Sequence, residues 1–268
     1  MGVTIGLIGI KGGVGKTTIA ASLASDLVNS FGKKVLLVDA NYSAPNLGLH
    51  MDIVRPEKTI HEVIADKARI KGAIHSRFGV DVIPGSYVFN YKYNPLKLKD
   101  KLRVIKKEYD FVIIDSSPSL NEEILSTMLA SDHLFVVSTS DYPTLSCSLK
   151  AIKLARQRGR PIEGIILNKL RAQRYELSSK DIERSTEVPV VARIHDDKAN
   201  LGALFTRIPT SIYDKKSKFA KEINRLSRAL TNNEEKVSLF SKIFSRFKGE
   251  RVNRRILRED FYKKISND

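Results

Sequence analysis

The stretch "IGLIGIKGGVGKTTIA", residues 5–20, decides the fold. An apolar, β-rich run enters a loop holding Gly12, Gly13 and Gly15, and the chain leaves that loop through Lys16, Thr17 and Thr18 into a helical pattern. The glycines let the backbone curl so that its N–H groups face inward, and the dipole of the following helix adds positive potential. Such a loop cradles phosphate. Gly12, Gly13, Val14 and Gly15 supply the backbone, Lys16 neutralises the β- and γ-phosphates, Thr17 offers its hydroxyl to Mg²⁺ and Thr18 contacts the α-phosphate. Ile10 stands where the strict pattern asks for glycine, and Lys11 is a second lysine where the loop needs only one.

Outward from this loop, β-rich apolar runs recur at 34–39, 80–84, 110–115, 133–139, 163–168 and 188–194, with helical stretches between them. Near-continuous apolar strands are buried on both faces, which predicts a doubly wound α/β fold with a mainly parallel sheet covered by helices. Ligands of such sheets bind beyond the carboxyl ends of the strands. A helix is expected at about 215–230, followed by the polar "TNNEE". The chain therefore divides into a domain over 1–231 and a basic, amphipathic tail over 232–268.

The chain has 268 residues, 42% of them hydrophobic, enough for one large core. No apolar run approaches the roughly 18 residues of a membrane span, and the first strand begins at Val3 without a basic leader, so a soluble cytoplasmic protein is expected. The lone Cys147 excludes an internal disulfide and a multi-cysteine metal site within one chain, and is expected in the core. A net charge of +16 favours polyanions, either nucleic acid or an anionic lipid surface, although a solvated basic surface accounts for it too.

Mg²⁺ beside the phosphates also needs a carboxylate at the end of a buried strand. Asp115 closes "DFVIID", and Asp39 closes "KVLLVD" at the same edge of the sheet. The segments 39–50 and 115–121 that follow these acids are rich in small and turn-forming residues, as segments that sense a γ-phosphate should be.

"KGGVGKTT", "VDANYSAPNLGL", "VIIDSSPSL" and "ILNK", in this order and spacing, resemble the deviant Walker A ATPases, and residues 1–230 look like the MinD/ParA group, the MinD type above all. The resemblance implies an ATPase using ATP and Mg²⁺. It implies that Lys11 reaches across a homodimer to the phosphates of the other subunit, that Asn168 recognises adenine, and that the loop at 194–197, with Asp196, closes over the base. His195 stands where the family usually has proline, and Asn41 where most relatives carry a second acid that handles the attacking water. Asn41 keeps the shape of that acid and can orient water, yet it cannot take a proton, so either hydrolysis is slow or Asp39 assumes the role.

In the tail, a helix over 237–247 gathers Val237, Leu239, Phe240, Ile243, Phe244 and Phe247 within an arc of roughly 160°. No acid lies between Lys236 and Lys248. That is the composition of a helix lying on an anionic bilayer, and MinD-type relatives reach membranes by such a helix. The alternatives are packing on the chain's own domain or on a protein partner. Basic residues at 92–107 and 150–174 make a DNA-bound partition ATPase of the ParA type the competing function. Iron–sulfur carriers on the same fold need paired cysteines, which Cys147 alone cannot supply. An activator or effector protein is expected on the outer face of the two switch segments.

Overall fold

The computed structural model describes residues 2–171 and 174–231. The tail over 232–268, with its expected helix at 237–247, lies outside the described residues. Eight strands, β1 (Val3–Ile8), β2 (Val35–Ala40), β3 (His75–Arg77), β4 (Val80–Ile83), β5 (Phe111–Ser116), β6 (His133–Ser138), β7 (Ile162–Leu170) and β8 (Val190–His195), form one sheet in the order β3-β4-β2-β5-β1-β6-β7-β8. Every neighbouring pair is parallel except β3 with β4. The helices are α1 (Lys16–Phe31), α2 (Leu47–His50), α3 (Ile60–Ile64), α4 (Leu98–Ile105), α5 (Glu122–Ala130), α6 (Tyr142–Gln157), α7 (Ser179–Thr186), α8 (Ala199–Thr206), α9 (Thr210–Tyr213) and α10 (Lys218–Thr231).

The central strands β1, β2, β5 and β6 are buried on both faces, as their composition predicts, whereas β8 at the sheet edge buries only Ile194. Along β2, Val35 and Leu37 join the core under α1 and α10, while Leu36 and Val38 join the core with α3 and α4. A third cluster gathers Ile8, Val136, Ile165 and Leu167 beneath α5, α6 and α7. The amphipathic α10 buries Phe219, Ala220, Ile223, Leu226 and Leu230. Each large side chain so buried stabilises by about 1.5–3 kcal/mol, which makes α10 part of the domain up to Thr231. One expectation needs correction, and one strand was not anticipated. Cys147 is only half-buried on α6, because the inner face of that helix is already filled by Leu145, Ala151, Ile152 and Ala155. The antiparallel β3 was not foreseen, since three residues reading His-Ser-Arg carry no apolar strand signal.

β1 lies between β5 and β6, while α1 carries the chain from β1 past β5 to β2. The carboxyl end of β1 is thus the place where the direction of winding changes and a crevice opens.

Candidate functional site

The loop after β1 fills that crevice. Gly13 and Gly15 have φ of 77° and 93°, in the left-handed region that a side chain disfavours. Gly15 is excluded from substitution a second time, because a Cβ there would come 2.3 Å from Nδ2 of Asn168. Gly15 is also the N-cap of α1 and caps it with no side chain, so the first N–H groups of the helix remain available to an anion. Ile10 is accounted for by packing: it lies against the core under α5, α6 and α7, a contact glycine could not make.

The two lysines are placed differently. Lys16 is buried and donates through Nζ to the Gly9 carbonyl at 3.0 Å, inside its own loop. Burial lowers its pKa, and the charge of Asp115 opposes that shift. Lys11 lies outside the cradle with its side chain 41% exposed, and Nζ donates to Asp141 Oδ1 at 3.2 Å and Thr144 Oγ1 at 2.8 Å. Against the burial that raises it, hydrogen bonds from Thr139, Thr144 and Lys11 hold the Asp141 carboxyl down at about 2.

Asp39 and Asp115 are paired across β2 and β5. Asp39 accepts the N–H groups of Asn41 at 3.0 Å and Leu47 at 3.1 Å. Neither oxygen of the buried Asp115 has a hydrogen-bond partner, and the nearby Thr17 hydroxyl is given to Asn46 Oδ1 at 3.0 Å. Burial pushes both carboxyls upward; for Asp39 the charge of Asp115 adds to the rise, and for Asp115 the charge of Lys16 opposes it. Two buried acids side by side, with the Lys16 cation near Asp115, suit a divalent ion completed by phosphate oxygens and water. Among the described residues no group of three or more His, Cys, Asp or Glu could hold a metal by itself. The residues present therefore fit Mg²⁺ held jointly with a nucleotide.

A pH dependence follows from this pair. With a folded pKa above the unfolded 3.8, the folded chain retains a proton that the unfolded chain has lost. Stability without metal should be highest below about pH 4 as far as this pair is concerned, and fall by about 1.4 kcal/mol per pH unit per retained proton as pH rises toward neutrality. Urea titrations from pH 5 to 8 with and without Mg²⁺ and nucleotide check this: the fall should shrink when both are present. An identical slope under the two conditions would exclude the acids as the cation site.

Asn41 is buried beside Asp39, with Nδ2 donating to the Ala44 carbonyl at 2.5 Å and Oδ1 without a partner. The amide thus presents an acceptor, the half of a carboxylate's chemistry that it retains. On the other side of the loop a cavity of about 860 Å³ is lined by Thr18, His50, Asn168, Arg171, His195 and Asp196, among others. Asn168 gives Nδ2 to the Val14 carbonyl at 2.8 Å and leaves Oδ1 unpartnered, so it braces the loop and can accept from a base amino group. Asp196 is tied to Arg171 at 2.9 Å. Sequence reasoning missed three side chains here: Asn46 on the Thr17 hydroxyl, His50 beside the Thr18 hydroxyl at 3.4 Å, and Asp141 under Lys11. Only Asp141 carries a local signal, as an acid opening a helix at "SDYPT".

A phosphate loop, a buried lysine and two strand-end acids, set at the winding switch of a parallel sheet, define a P-loop nucleoside triphosphatase. The family described as an AAA domain matches residues 2–160. An uncharacterized ATP-binding protein of Methanocaldococcus jannaschii is 36% identical over 74% of this chain and 75% of its own length. Among solved structures, the cell division ATPase MinD of Pyrococcus furiosus is 30% identical with a TM-score of 0.82, covering 87% of this chain and 99% of that one. The septum site-determining protein MinD of Pyrococcus horikoshii, complexed with Mg-ADP, is 28% identical with a TM-score of 0.81, covering 86% and 96%. The chain belongs to the MinD/ParA family of P-loop ATPases.

Proposed function

We propose that this protein is a MinD-type switch that dimerises on ATP, hydrolyses it slowly and organises other proteins in space at a membrane. Residues 1–231 are its ATPase domain and 232–268 its anchoring tail, which would place it peripherally on the inner face of the cell membrane. The cofactor is ATP with Mg²⁺, in keeping with the Mg-ADP complex of the Pyrococcus horikoshii relative.

The observation that carries this reading is the separation of the lysines. Lys16 bonds within its own loop from a buried position, whereas Lys11 is half-exposed and bonded to Asp141 and Thr144. A second cation so placed is useful where another concentration of negative charge arrives, and the triphosphate of a second subunit supplies one. Gly12, Gly13, Val14, Gly15, Thr17 and Thr18 hold the phosphates, Asn168 and Asp196 border the base, and Thr17, Asp39 and Asp115 hold the cation. When bound, Mg²⁺ neutralises charge on the β- and γ-phosphates. Asn41 Oδ1 orients the attacking water as an acceptor, and Asp39 beside it is the group able to take the proton. An activator or effector would dock over 39–50 and 115–121, where γ-phosphate loss changes the backbone.

Among the described residues no helix is long and apolar enough to cross a membrane. Attachment is therefore assigned to the amphipathic pattern at 237–247, with the basic surface of a ParA-type DNA-binding dimer as the second reading. Co-sedimentation of the full chain with anionic vesicles and with duplex DNA, each in ATP and in ADP, separates the two. The membrane reading requires vesicle binding that depends on ATP. ATP-dependent binding to DNA alone, lost steeply with salt, would replace it by the partition reading.

A further inference from the structure

His61, on the short helix α3, is fully buried and plays no part in the mechanism above. Its position is fixed by a capping box read in "TIHEV": the Glu62 carboxylate accepts the Thr59 N–H at 2.9 Å. Both ring nitrogens are occupied. The Ser86 N–H donates to Nδ1 at 3.1 Å, and a backbone N–H can only donate, so the ring proton resides on Nε2. From there it is donated to the Tyr42 carbonyl at 2.9 Å. Burial lowers the pKa of the imidazole and keeps this neutral tautomer.

The two backbone groups that His61 joins belong to the two segments surrounding Asp39. Tyr42 follows Asn41 on the way out of β2, and its side chain is buried, with the ring edge-on to His61 at 5.9 Å. Ser86 follows Gly85 on the way out of β4, and the Gly85 N–H is directed at the Asp39 carboxylate. The segments already touch in front: a Cβ on Gly85 would come 2.3 Å from Cβ of Pro45. His61 joins them from behind, and Phe89 stacks on its other face at 4.3 Å and 22°. Packing alone does not require an imidazole, since a phenyl ring could make the same stack. What a phenyl ring cannot do is satisfy Tyr42 O and Ser86 N–H, whose loss would leave two backbone groups to find other partners.

We propose that His61 is a positioning residue for ATP hydrolysis, holding the backbone on either side of Asp39 so that Asn41 keeps its acceptor on the attacking water. The inference rests on the hydrolytic reading of Asn41 given above. His61 touches neither the phosphate loop nor the base cavity, so ATP affinity should not depend on it. Turnover should, because displacements of about 1 Å at a reacting group cost on the order of 10²-fold.

The test measures ATP affinity with a fluorescent analogue, turnover at saturating Mg·ATP and thermal unfolding, on the full chain. His61→Phe and His61→Gln are each made with Asn41 and with Asn41→Asp. His61→Phe should bind ATP within about twofold of the parent and turn over at least about tenfold more slowly. His61→Gln, which retains an N–H for Tyr42 O, should recover part of that loss. Asn41→Asp should raise turnover in the parent, and that gain should vanish with His61→Phe. The proposal is overturned if His61→Phe turns over like the parent, if it loses affinity and turnover in equal measure, or if the gain from Asn41→Asp survives it. If His61→Phe does not fold, His61→Gln decides alone by the same split between affinity and turnover. No gain from Asn41→Asp in the parent would refute the Asn41 reading instead, and His61 would then be judged by whether its turnover loss still occurs without loss of affinity.

Discussion

Lys11→Ala binds ATP as tightly as the parent and stays monomeric in ATP and Mg²⁺: this is the expected result of sedimentation velocity on the variant. Nucleotide affinity survives because the loop holds its own phosphates with Lys16 and backbone N–H groups, none of which depends on Lys11. In the single chain the Lys11 ammonium rests on Asp141 with both side chains 41% exposed. Exposed pairs of this kind contribute at most about 1 kcal/mol, so the contact does little to retain the lysine. A triphosphate in an interface emptied of water attracts it far more strongly, through charge-assisted hydrogen bonds. By two-fold symmetry the substitution removes the contact twice. Truncating one partner of a buried charge pair costs about 2–5 kcal/mol, so two such losses would weaken the proposed dimer by about three orders of magnitude or more. A variant that dimerises and hydrolyses like the parent would return Lys11 to the status of a surface lysine on Asp141.

How much of this was legible beforehand depended on the length scale of the signal. The loop could be read because the glycines, lysine and threonines are contiguous, and the sheet because its central strands are apolar on both faces. Asp39 and Asp115 were found by where they stand, as the acids closing two such strands. The contacts among segments were not legible. Nothing around Asn46 announces that its amide will meet the Thr17 hydroxyl, and nothing around His61 announces Tyr42 and Ser86, because those bonds join positions 19 to 29 residues apart. Asn168 was read as a contact to the base, yet its amide donor is spent on the Val14 carbonyl, a second duty that only the fold reveals. Sequence patterns thus marked the candidate residues, and the geometry supplied the bracing around them.

Truncation after Asn233 should abolish binding to anionic vesicles while leaving ATP binding and dimerisation intact. The domain should retain its core in this variant, since the apolar face of α10 up to Thr231 is already packed against α1 and β8. On the proposed reading, one interfacial helix with the six apolar residues of 237–247 would be a modest anchor, because burial at an interface is partial and ordering a short helix opposes it. A dimer carries two. Once the first helix is inserted, the second inserts intramolecularly, which can tighten overall binding by about 10²–10⁴ without a new contact. Attachment would thereby report the γ-phosphate, and hydrolysis, by dissolving the dimer, would return each chain to the weak regime of a single helix. Phe244→Glu should act almost as strongly as the truncation, because it sets a charge in the middle of the apolar arc, and flotation of both variants with vesicles in ATP and ADP reads the effect. Retention of ATP-dependent binding by the truncated chain would move the anchor into residues 1–231. Equal binding of the intact chain in ADP would uncouple attachment from dimerisation, and either result would make DNA binding by the basic surface the stronger account of where this ATPase works.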